Sequence, residues 1–146
     1  SNNDTIKEWL GIKDVDRLLK LKDKDKIKGN VRIAYQTGIP IKFKGKAKEN
    51  IAYPYTFEDS VALTNYQLFI KEDLNCSGMV KHFHDILISA TDVTSCCKDL
   101  FEKLKSSNKA PFAINLLFME EFEQLKTPAY IEEGLDWLNQ LLNSNK

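Results

Sequence analysis

Apolar residues recur at three- and four-residue steps through most of this chain and alternate with polar ones only between about residues 31 and 55. Ile6, Trp9 and Leu10 fit a short amphipathic helix that Asp4 or Thr5 can cap and Gly11 can end. Asp14 can start a second, through Val15, Leu18, Leu19 and Leu21. Lys22 to Asn30 alternates charge and finishes in turn residues, which reads as an exposed connection. Val31 to Gln36 is β-branched and aromatic enough for a strand, with Val31, Ile33 and Tyr35 on one face. After the break at Thr37 to Pro40, apolar or small residues alternate with Lys42, Lys44, Lys46 and Lys48, as on a one-sided edge strand or hairpin arm. Those lysines suit edge protection, and they also suit contact with phosphates.

A third alternating run, Ile51, Tyr53 and Tyr55, stops at Thr56, where a helix through Val61, Ala62, Leu63, Leu68, Phe69 and Ile70 is expected, with a break near Asn65. One long helix from about Val80 to Leu104 then carries Phe83, Ile86, Leu87, Ala90, Val93, Cys97, Leu100, Phe101 and Leu104 on its core side. Pro111 fits the first turn of a further helix, since its missing donor is not needed there. Phe112 to Phe122 is apolar almost all round and predicts a helix buried between layers, with Lys109 at its mouth. Thr127-Pro128 opens the last helix, whose stripe is Ile131, Leu135, Leu138, Leu141 and Leu142. The fold class that follows is α/β: a small sheet of about three strands, at 31 to 36, about 41 to 44 and about 51 to 55, covered by four or five helices.

Composition narrows this picture. The 146 residues, 42% of them hydrophobic, suit a single domain, 1 to 146, with a real core. The 21 basic and 21 acidic residues cancel, so no net field points to nucleic acid or membrane, yet residues 1 to 50 are basic and the remainder acidic. Cys76, Cys96 and Cys97 have no zinc-like spacing and fit a reduced, cytoplasmic setting, with the adjacent Cys96 and Cys97 read as packing residues. His82 and His84 point about 200° apart on a helix and do not share a metal easily; they read as surface or internally satisfied groups. No apolar run reaches the ~20 residues of a membrane span.

The junction at Tyr53 to Asn65 carries the candidate chemistry. Thr56 with Asp59 approximates a capping box, and Glu58 and Asp59 in a first turn suit the helix dipole. The same two carboxylates supply the hard oxygen ligands that a divalent cation takes. Both readings stand on the residues alone.

Several segments together resemble a known family. Ile33-Ala34-Tyr35-Gln36, the Tyr-x-x-Thr-Phe-Glu-Asp-x-x-Ala-Leu-x-Asn of residues 53 to 65, the run from Lys109 to Leu117, and Pro128-Ala129-Tyr130-Ile131 with Gly134-Leu135 and Trp137-Leu138 occur in that order. They resemble the C-terminal part of the TOPRIM nuclease domain in the overcoming-lysogenisation-defect (OLD) family of ATP-dependent endonucleases, over about residues 30 to 142. The resemblance implies an incomplete TOPRIM-like fold and a DNA endonuclease that uses two Mg²⁺ or Mn²⁺ ions, linked to an ABC-type ATPase domain that binds ATP. It also implies work in anti-phage defence or DNA repair, and a homo-oligomer in the full-length protein. Glu58 and Asp59 match the acidic pair of one metal site, and Lys109 matches the lysine that steadies charge at the cleaved phosphate.

Two departures mark the chain. Pro54-Tyr55 stands where the family often has Gly-Arg. No upstream glutamate motif or Asp-x-Asp strand is recognisable, so the chain reads as a piece beginning just after that strand, with half a metal site and little nuclease activity of its own. An exposed apolar sheet edge, or an oligomer that covers one, should follow. The alternative from another class is a non-catalytic helical protein-interaction domain whose junction acids are only caps.

Overall fold

A computed structural model describes residues 4–12, 14–106 and 110–144 of the chain, which is a mixed α/β protein. Two compact units divide it: residues 1–37 with 128–146, and residues 38–127.

In the first unit, α1 (Asp4–Leu10) ends where Gly11 takes a left-handed φ of 68°. Helix α2 (Val15–Leu19) starts on Asp14, whose carboxylate accepts the Asp16 amide at 2.9 Å. A 3-10 turn at Asp23–Lys26 leads into β1 (Ile27–Lys28), which pairs antiparallel with β2 (Val31–Arg32) across the turn at Gly29 and Asn30. The strand expected to run to Gln36 therefore stops at Arg32. Helix α8 (Ala129–Ser144) completes this unit.

The charged connection expected at Lys22 to Asn30 is only partly solvated. Lys26 is buried, with Nζ 3.2 Å from Glu133 and over the Tyr35 ring at 5.5 Å. The Arg32 guanidinium is almost wholly buried and reaches both Asp23, at 2.8 Å, and Glu133, at 3.3 Å. Leu18 and Tyr35, whose hydroxyl donates to the Leu18 carbonyl, are the buried apolar side chains beside this network. The α8 stripe lies against little apolar partner surface, so Leu135, Leu138 and Leu142 are exposed.

The second unit holds the main core. Strand β3 (Ile39–Ile41) pairs antiparallel with β4 (Asn50–Ala52), Pro40 opposite Ile51. The expected three-stranded sheet is thus replaced by two separate two-stranded ribbons. The lysine-rich arm does not extend the strand, because the chain turns at Phe43–Gly45 with Lys44 at φ 50°. Phe43 is carried inward to stack on Tyr66, ring centroids 5.8 Å apart.

Five more helices in this unit, α3 (Phe57–Thr64), α4 (Tyr66–Phe69), α5 (Gly78–Ser89), α6 (Val93–Lys105) and α7 (Ala110–Leu117), bring the number among the described residues to eight, not four or five. The long helix expected from 80 to 104 is a helical hairpin. Ala90 adopts ψ 140°, and Asp92 caps the new helix by accepting the Ser95 amide at 2.9 Å. Where α5 begins, Gly78 has φ 56°, and Asn115 of α7 supplies the cap, its Oδ1 accepting the Met79 amide at 3.0 Å. A left-handed residue against the Asn115 side chain leaves room only for glycine.

Helix α7 is buried on one side and not all round. Phe112, Leu116 and Met119 enter the core, where Phe83 and Phe112 meet at 5.0 Å, while Ile114, Leu117 and Phe118 are exposed. Leu63, Phe69, Val80, Leu87, Leu100 and Leu104 fill the rest. Complete burial of one such side chain is worth about 1.5–3 kcal/mol. Along β4 and the chain that follows it, Ala52 is fully buried whereas Ile51, Tyr53 and Tyr55 are half exposed.

Candidate functional site

The strand-to-helix junction is built by one reciprocal cap. Thr56 keeps an extended backbone immediately before α3, and its Oγ1 accepts the Asp59 amide at 3.4 Å. In return the Asp59 carboxylate accepts the Thr56 amide at 2.7 Å, the Thr56 hydroxyl at 2.9 Å and the Tyr55 amide at 2.8 Å. Asp59 has no solvent exposure, and burial pushes its carboxyl above the usual range despite those donors. Both of its oxygens already face donors, so a cation there would have to displace the hydrogen bonds that define the turn. Asp59 is thereby a positioning residue for the first turn of α3.

Glu58 is half-buried in that same turn, between the exposed ring of Phe57 and buried Asp59. Beside it, Tyr55 stacks on Phe101 with centroids 4.7 Å apart, and Lys105 lies 4.6 Å from the Phe101 centroid. Lys109 lies outside the described residues. Among the described residues, no three His, Cys, Asp or Glu side chains are grouped so as to hold a metal ion. His84 is buried with Nδ1 2.7 Å from the Phe69 carbonyl, and His82 is exposed.

The cysteines are all free. Burial raises all three thiols, that of Cys96 to about 12.

Lys42, Lys44, Lys46 and Lys48 are all exposed, but on the turn between β3 and β4 and not along one strand face. That turn borders a cleft of about 510 Å³ whose lining also includes Glu49, Asn65, Gln67, Lys71 and Lys126. Lys71 and Lys126 carry no sequence signal that pairs them with Lys42. Only the path of the chain brings the three together.

Comparison with protein-family models, with curated proteins and with solved structures finds no match for this chain.

Proposed function

We propose that this chain is part of a metal-dependent DNA endonuclease of the OLD type, with Glu58 as its contribution to a divalent-metal site and Lys109 as a charge-stabilising group at the scissile phosphate. The observation that carries the reading is the turn at Thr56 to Asp59, which holds Glu58 on a fixed helix start inside the stretch that resembles the family's acidic motif. A rigid first turn matters because a metal ligand must be held in place before the ion arrives. Bound Mg²⁺ or Mn²⁺ would lower the pKa of a water and neutralise the departing oxygen. Glu58 alone cannot supply that coordination, and with Asp59 engaged as a cap, the other carboxylates come from other segments of the working enzyme. The ATPase domain, a homo-oligomeric state and a TOPRIM-like arrangement of the nuclease belong to the same proposal.

A second reading, a non-catalytic interaction domain, draws on the exposed side of α7, where Ile114, Leu117 and Phe118 sit in open surface. One experiment separates the two. The full reading frame that contains this sequence is assayed for Mn²⁺-dependent nicking of plasmid DNA, alone and with Glu58→Ala. Nicking that the substitution removes supports the nuclease. Nicking that survives it, or no nicking at all, leaves the interaction domain. The 146-residue chain by itself should be inactive, and strong Glu58-dependent nicking by it would overturn the half-site expectation.

A further inference from the structure

We propose that the cleft between the β3–β4 turn and the 124–126 segment holds the phosphodiester backbone of a nucleic-acid strand, using Lys42, Lys71 and Lys126. The choice of nucleic acid over other phosphate carriers rests on the proposed endonuclease function; the site itself rests on geometry. Three cations from segments far apart in sequence line one cavity, against a single carboxylate, Glu49. Residues 38 to 127 carry 11 lysines and 12 acidic residues, so a general excess of positive charge does not explain the gathering. Lys81 and Lys105 of the same unit are each paired with an acid one helical turn away, whereas among the described residues Lys42, Lys71 and Lys126 have no ion-pair partner.

Hydrogen bonds tie the walls of the cleft together. Three consecutive residues at the α3–α4 junction each hold part of it. Asn65 donates to the Lys126 carbonyl at 2.9 Å and accepts the Lys126 amide at 2.7 Å. The Tyr66 hydroxyl accepts the Lys44 amide at 3.1 Å. Gln67 donates to the Lys42 carbonyl at 3.2 Å. These bonds engage the main chain of Lys42, Lys44 and Lys126 and leave their ammonium groups unused. Lysine suits this task as a compact cation on a flexible stem, able to follow successive phosphates without reading bases. The cleft's volume suits about one nucleotide unit, with Lys44, Lys46 and Lys48 on the adjoining turn to meet the flanking phosphates.

The test is fluorescence anisotropy of a labelled single-stranded oligonucleotide with the full 146-residue chain, in EDTA so that no metal chemistry intervenes. Lys42→Gln/Lys71→Gln/Lys126→Gln should weaken binding about tenfold at low salt and reduce the slope of log K against log salt by about 2. The triple Lys→Arg variant should retain binding, and Lys98→Gln on α6 should change nothing. No binding by the parent chain, or an unaltered affinity and slope in the Gln variant, overturns the proposal. Inorganic phosphate or a mononucleotide competing as well as an unlabelled oligonucleotide also overturns it, in favour of a free-phosphate site.

The two proposals fail separately. Binding that depends on the three lysines, without metal-dependent nicking by the full reading frame, keeps the cleft and removes the nuclease. Glu58-dependent nicking with binding indifferent to the three lysines does the reverse.

Discussion

Thr56 and Asp59 cap each other: the threonine oxygen receives the aspartate amide while the aspartate carboxylate receives both the amide and the hydroxyl of the threonine. A side chain so placed cannot be exchanged for a nearby acid without consequence. Asp59→Ala strips acceptors from two main-chain amides in a buried turn and should cost about 2–3 kcal/mol. Thr56→Ala should cost ~1 kcal/mol. Glu58→Ala, one residue away and half-buried, should cost less than Asp59→Ala. Urea unfolding monitored by circular dichroism checks the order, and a Glu58 effect as large as that of Asp59 would contradict it.

The pH response of this cap has a definite sign. Burial raises the Asp59 carboxyl above its ordinary 3.8, so the folded chain holds its proton more firmly than the unfolded chain does. The resulting contribution is fully present below 3.8 and is lost as pH rises through the elevated native value. Asp23 behaves oppositely. Its hydrogen bond to Arg32 lowers its carboxyl, so that contribution is present above 3.8 and is lost as pH falls through the lowered value. Melting temperatures of the parent chain and of Asp59→Asn, followed upward from pH 3.8, should show the parent losing ground to the variant. A gap that widens in the parent's favour would refute the assignment.

Glu133 serves two cations at once. Lys26 and Arg32 are both nearly buried and both reach it, while its own side chain is 45% exposed. Breaking a fully buried pair costs about 3–5 kcal/mol, and solvent at Glu133 reduces that, so Glu133→Gln should cost about 1–2 kcal/mol. The same change on exposed Glu132 should cost less than 0.5 kcal/mol. Parallel thermal melts of the two variants test this, and equal losses would count against the shared pairing.

The thiols should report burial directly. Cys96 and Cys97 are buried with raised pKa values, and Cys76 is partly exposed. An aromatic disulfide reagent at neutral pH should label Cys76 first and the adjacent pair only on unfolding. Fast labelling of Cys96 in the folded chain would contradict the packing around it.

Local grammar made parts of this fold legible. Asp14, Thr56 and Pro128 each sit where the residue pattern places a helix start, and Gly11 closes α1 as expected. The rest of the fold is decided at a distance or by single residues. The α5–α6 corner turns on Ala90 and the Asp92 cap inside an otherwise unbroken apolar rhythm. The lysine arm reads as a strand until Lys44 takes a left-handed conformation so that Phe43 can enter the core. Lys26 looks solvated because its partner Glu133 lies 107 residues away. For the same reason Glu58 and Lys42 could be singled out early, whereas the company that Lys42 keeps in its cleft could not.

The tie between Asn65 and Lys126 reaches into dynamics. Lys126 lies outside any helix or strand, where amide hydrogens normally exchange with solvent quickly. Its N–H, however, donates to a side chain that is itself buried at the end of α3, 61 residues earlier. That hydrogen can be released only when the helix end and the connecting segment part, so in deuterated water Lys126 should be retained alongside the core amides of α3, a protected position in a stretch of chain with no regular structure.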